Sequence, residues 1–217
     1  AWRRGLSWWR VLVVAVGALV VGVVGARLLD LAVNWAYYAE DASRIYDVGF
    51  RGFALYGGLA LALAAGLLLA GTLHLPVWRL LDSSVPALAV GVVLMRVGCL
   101  LNGCCFGKTT SLPWGITYPT GSPAWTYQFV TGETGLEGLT GVVLPVHPTP
   151  IYEMIAAVVL GTLGVWLMRR RERGTQDRGR RDNGGAAPAG RPRIPEGVPF
   201  LVFALGFTAF RAINHQL

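Results

Sequence analysis

Residues 95–107 read Met-Arg-Val-Gly-Cys-Leu-Leu-Asn-Gly-Cys-Cys-Phe-Gly and gather most of the chemistry this chain offers. Arg96 lies near the end of an otherwise apolar run. A charge held in hydrocarbon is expensive, so such a residue marks a site by default. Its planar guanidinium suits phosphate, which it can bind through two parallel hydrogen bonds. Gly98, Gly103 and Gly107 let the backbone come close to a helix or a ligand. The 3 cysteines of the chain, Cys99, Cys104 and Cys105, stand in the same stretch. Adjacent cysteines are awkward disulfide partners, so Cys99 with Cys104 is the better pair. A thiol lining a site is the alternative. Metal binding by the three cysteines with His147 is a further alternative, but the spacing matches no familiar zinc pattern, and no metal or cofactor is assigned.

Each further chemical candidate carries a structural rival. Arg96 either holds an anion or pairs with Asp30 or Glu153. Arg211 either binds phosphate or snorkels to the interface. Arg27 is a supporting cation or a structural one. Tyr56, beside Gly57 and Gly58, is a site residue or an interfacial aromatic. His147 acts chemically or opens a helix next to proline. Tyr152 and Glu153 face a substrate or fix that helix, and Trp114 anchors a loop.

The elements that position these residues follow from composition. Of 217 residues 53% are hydrophobic and 14% charged, with mean hydropathy +0.50, which excludes an ordinary soluble domain. Apolar runs of spanning length lie at about 11–29, 53–71, 85–101, 150–168 and 197–213, close to the roughly 20 residues a bilayer requires. The expected fold is therefore all-α, a single polytopic helical bundle, with an outward cap at 102–149 rich in Pro-Trp-Gly and Gly-Ser-Pro turns. The first apolar run is too long, and lacks the small-residue cleavage site, for a signal peptide.

Charge sets the expected orientation. Of the 19 lysines and arginines, nine lie between Arg169 and Arg193, whereas 102–149 holds only Lys108. Residues 1–10, 72–84 and the Gly/Pro/Arg-rich loop 169–195, expected to be disordered, then face the cytoplasm. The formal charge of +7 is read as a topology signal with affinity for anionic lipid, and no nucleic-acid partner is expected. In this frame Tyr56, Arg96, Cys99, His147–Glu153 and Arg211 gather at the outer ends of four spans, as a pocket toward the outer leaflet would require.

Arg96-x-Gly98-x-x-x-Asn102-Gly103-x-x-x-Gly107 resembles the signature of the prolipoprotein diacylglyceryl transferase family. Gly25-Ala26-Arg27, Phe53 to Gly58, Pro113 to Pro119, His147 to Glu153 and Phe210-Arg211 resemble further family segments in the same order. The resemblance implies transfer of a diacylglyceryl group from phosphatidylglycerol, a phospholipid substrate, to the cysteine thiol of a lipoprotein signal peptide. It implies a multi-pass protein of a bacterial inner membrane that works without a cofactor. It also implies Arg96, Arg211 and Tyr56 as catalytic residues. Arg27, Gly57, Gly58, Cys99, Asn102, Gly103, Gly107, His147, Tyr152 and Glu153 would bind substrate. The chain departs from the family pattern at Tyr56, where well-known members carry a histidine, at Cys99 (asparagine), at Cys104 (glutamate) and at His215 (glutamate). A lipid transferase with another donor or acceptor, and a lipid-binding subunit without activity, therefore stay open as alternatives.

Overall fold

The computed structural model describes residues 7–41, 43, 55–182, 194–214 and 216, without the side chains of 55, 56, 136 and 177–182. Helices α1 (Trp8–Val33), α2 (Trp35–Ala39), α3 (Leu55–Thr72), α4 (Val77–Asn102), α5 (Pro123–Val130), α6 (Thr149–Asp182) and α7 (Val198–Asn214) account for most of them. Pairing of extended backbone among the described residues is limited to two isolated bridges, Thr109 to Val146 and Ile116 to Val146. The expected all-α membrane architecture is the one observed. Trp8–Val33, Val77–Asn102 and Thr149–Gln176 are long and apolar enough to cross a bilayer, and Gly57–Thr72 and Val198–Asn214 are shorter apolar helices.

The chain divides into two compact units, 1–80 and 81–217. In the first, α1 lies against α3, and the fit depends on small residues. A Cβ on Gly57 would meet the Gly25 carbonyl at 2.6 Å, and one on Gly58 the Gly22 carbonyl at 2.9 Å. Without a hydrophobic drive between helices in lipid, such close backbone contact supplies the packing energy. Val14, Ala70 and Leu75 close the other end of this unit.

The second unit joins α4, α6 and α7. Val85, Ala89 and Phe203 form its buried centre, and Gly161 and Gly164 let α6 approach Ala89 and Val85. Asp82, fully buried, ties three elements together. Its carboxylate accepts from the Gly197 and Phe200 amides, 3.0 and 3.1 Å away, capping α7, and from Arg171 at 2.6 Å. A carboxylate at a helix N-terminus meets both free N–H groups and the positive end of the dipole.

Two boundaries differ from the sequence reading. Helix α4 starts at Val77 rather than 85 and passes through Pro86, which membrane helices tolerate when neighbours satisfy the freed carbonyl. Helix α6 continues to Asp182, so the first half of the expected disordered loop 169–195 is helical, and 183–193 lie outside the described residues. Arginine, glutamate and glutamine are good helix formers, and Arg171 is pinned to Asp82. The cap is ordered. It holds α5, which Ser122 caps by accepting from the Trp125 amide, and a 3₁₀ turn over Gly135–Thr140. Its core is Tyr118, Ala124 and Val146.

Candidate functional site

Arg96 projects from α4 into the second unit and is only 5% exposed. Its Nη2 stands 2.6 Å from Glu153 Oε2 on the first turns of α6. Asn214, near the end of α7, donates to the other carboxylate oxygen at 3.4 Å. One cation, one carboxylate and one amide thus lock three helices at the same level. Of the two partners left open by the sequence, Glu153 is paired with Arg96. The Arg96 Nε remains buried without a hydrogen-bond partner, and Nη1 lies 3.8 Å from Cys99 Sγ.

The three cysteines meet at the end of α4. Their sulfurs all lie within 4.8 Å of one another, with Cys99 to Cys105 at 3.4 Å and Cys104 to Cys105 at 3.9 Å. All three are free thiols in this structure, without the Cys99–Cys104 pairing that the sequence left open. The chain reverses here through Gly103 at φ +67° and Cys105 at φ +58°. The second is a strained conformation for a residue with a Cβ. It is held by Thr149, whose hydroxyl donates to the Cys105 carbonyl. Burial, neighbouring thiol charge and the bonds to Cys99 and Cys104 push the Cys105 thiol up to about 11. Cys104 goes the other way: burial raises it, but hydrogen bonds from Asn102, Cys105 and Cys99 together hold it below the ordinary thiol range.

Beside this turn, Tyr118 is buried with its hydroxyl unpartnered. Burial and the nearby charge of Cys104, Cys105 and Cys99 raise its pKa. His147 Nδ1 is 3.2 Å from the Tyr152 hydroxyl, which accepts from Trp114 Nε1 at 2.8 Å. The His147 backbone bonds to Gly107 and Lys108, tying the cysteine turn to the start of α6. Glu153 thus meets Arg96, while Gly107 and Tyr152 are tied to His147, and Asn102 and Gly103 lie at the end of α4 and the turn after it. Around Gly98 there is open space, so that glycine makes no close approach. Arg211 is exposed on α7, one turn before Asn214.

The first unit holds the other expected residues. Arg27 donates to the Tyr38 hydroxyl at 3.3 Å and lies 3.9 Å from Asp30. Tyr38 donates to Asp30 at 2.6 Å, a bond that raises its pKa further than burial does. Gly57 and Gly58 face the α1 backbone rather than space for a substrate, because α1 fills the gap their missing side chains leave. Tyr56 is helical, and its side chain, like Phe53, Ala54 and His215, lies outside the described residues. Sequence reasoning missed Asn214 and Asp82, the latter read as part of the 72–84 stretch between spans. It noted Tyr118 only as part of the Pro113–Pro119 segment.

A family model described as prolipoprotein diacylglyceryl transferase matches residues 2–214. Among relatives named phosphatidylglycerol–prolipoprotein diacylglyceryl transferase, that of Synechococcus elongatus is 32% identical over 153 residues, 70% of this chain and 48% of its own length. That of Clostridium tetani is 29% identical over 79% of this chain and 62% of the relative. That of Dehalococcoides mccartyi is 30% identical over 78% and 60%. This chain thus spans about half to three-fifths of the length of these relatives.

Proposed function

The chain belongs to the prolipoprotein diacylglyceryl transferase family, and from that membership we propose that it moves a diacylglyceryl group from phosphatidylglycerol to the cysteine thiol of a lipoprotein precursor. The acceptor is a lipoprotein signal peptide, and the site opens to the outer leaflet of a bacterial inner membrane. The acceptor sulfur attacks the glycerol carbon next to the phosphate. The carbon–oxygen bond breaks, glycerol phosphate leaves with the bonding pair, and the thiol proton passes to a base.

The observation that carries this reading is Arg96. Among the described residues one buried carboxylate faces this cation, and its Nε has no hydrogen-bond partner. A phosphate oxygen would complete its hydrogen bonding, and the guanidinium would offset charge that grows as the leaving group departs. Glu153 and Asn214 fix its pose. Arg211 is the second cation. His147 and Tyr152, braced by Trp114, form a polar wall. A groove of about 580 Å³ between α4 and α6, lined by Val90, Leu94, Val158 and Val165, ends two residues before Arg96. Its apolar walls suit an acyl chain.

Tyr56 favours a second reading, a related lipid transferase with a different donor or acceptor. An unperturbed tyrosine, with pKa near 10, is a weak base at neutral pH. The test is a transfer assay in detergent with phosphatidylglycerol labelled in its glyceride part and a lipobox peptide, read by mass spectrometry. Diacylglyceryl mass on the peptide cysteine supports the first reading. Transfer only from another phospholipid, or to another acceptor, supports the second. Lipid binding without any transfer would leave a binding subunit.

A further inference from the structure

The three-cysteine turn is not needed for the transfer just described, yet it is a built feature. Cys99 comes from the last turn of α4, while Cys104 and Cys105 come from the reversal that follows. Left-handed Gly103 and Cys105 bend the chain back until all three sulfurs converge within 4.8 Å. A strained residue at such a point is retained when surrounding structure holds it, and here Thr149 does so by binding the Cys105 carbonyl. The Cys104 amide also returns to the Cys99 carbonyl at 3.1 Å.

We propose that Cys99, Cys104 and Cys105 form a three-thiolate binding site for a soft d10 cation, Cu(I) or Zn(II). Thiolate sulfurs bound at about 2.3 Å around a tetrahedral ion stand about 3.8 Å apart; Cys105 lies 3.4 and 3.9 Å from Cys99 and Cys104, and the third separation is within 4.8 Å. Thiolates select soft cations over the hard ones that carboxylates hold. Among the described residues the cluster contains no histidine or acid, so three sulfurs form its core and a fourth position is left for another ligand.

The surroundings answer the charge such a site creates. Three thiolates leave a net charge of −1 with Zn(II) and −2 with Cu(I). Arg96, although paired with Glu153, places its Nη1 3.8 Å from Cys99 Sγ as a nearby donor to that sulfur. The buried Tyr118 hydroxyl, without a partner and within electrostatic reach of all three thiols, is an available donor to a bound sulfur or to the fourth ligand. Supporting groups of this kind orient and tune metal ligands. On loading, each thiol releases its proton to solvent, and no oxidant or reductant is required. The ion would clamp the end of α4 to the loop that leads to Gly107.

The test uses the full chain, purified in detergent without oxygen and stripped of metal. Zn(II) and Cu(I) are titrated separately against a chromophoric chelator for each. The result expected is one ion per chain for at least one of the two, with affinity falling about 100-fold or more in Cys99→Ser and in Cys104→Ser. Co(II) added in place of Zn(II) should give sulfur-to-cobalt charge-transfer absorption. A measurement on the unmodified protein keeps the idea testable if the variants do not fold: the ion should protect all three thiols from iodoacetamide. Unchanged binding in the triple Cys→Ser variant, alkylation indifferent to either ion, or a disulfide found in freshly isolated protein would overturn the site.

Discussion

Arg96 shows why a residue's type can be read before its setting. One arginine in an apolar run marked the site, and Glu153 was on the short list of partners, but no spacing could bring Asn214 to the same carboxylate. That contact depends on how α7 packs against α6. The pairing leads to a separation of stability from activity. Replacing Arg96 with methionine alone leaves Glu153 buried and unpaired, at an expected cost of about 3–5 kcal/mol. Thermal unfolding in detergent should show that Arg96→Met with Glu153→Leu recovers most of the loss. Transfer should stay abolished in both proteins, and recovery of transfer with recovered stability would reduce the arginine to a structural role. Tyr56 lay at the edge of what the sequence could say. Tyr56→Phe should lower transfer about 10² to 10⁴-fold if the hydroxyl handles the proton, whereas Tyr56→His should retain or raise it.

At the level of elements, five helical runs were legible because composition alone separates membrane helices from other structure. Their ends were less so. The start of α4 was hidden by Pro86, and the extension of α6 by a basic composition that also suits a loop. Asp82 explains both outcomes, since it sits on the early part of α4 and pairs with Arg171 on the late part of α6. With its caps to Gly197 and Phe200 removed, Asp82→Ala should destabilise the protein by about 3–5 kcal/mol, because Arg171 and two amides lose a buried partner. Hydrogen exchange should show the start of α7 opening first. In the first unit, Gly57→Val drives a side chain into the Gly25 carbonyl and Leu29. Overpacking of this kind costs about 1–3 kcal/mol, and exchange in α1 and α3 should rise while α4, α6 and α7 stay protected.

For the molecule as a whole, hydropathy and the clustering of arginine gave the membrane class and an expected orientation. The grouping of the three cysteines was legible in the sequence, but the convergence of Cys99 and Cys105 was not, because it depends on two left-handed residues and on Thr149, 44 positions beyond Cys105. Orientation can be checked in a cysteine-free background in intact cells. A membrane-impermeant maleimide should label Ser111→Cys and spare Thr175→Cys until the membrane is opened. The central claim is that Arg96 holds the phosphate of the departing group. Its most direct measurement is glycerol phosphate release at saturating lipobox peptide, comparing the unmodified protein with Arg96→Lys across phosphatidylglycerol concentrations. Lysine keeps the charge but loses the planar fork, so kcat/KM for the lipid is predicted to fall at least about 100-fold, the scale of one lost transition-state contact, with the unfolding temperature nearly kept. Release at the original rate from a folded Arg96→Lys protein would contradict the account.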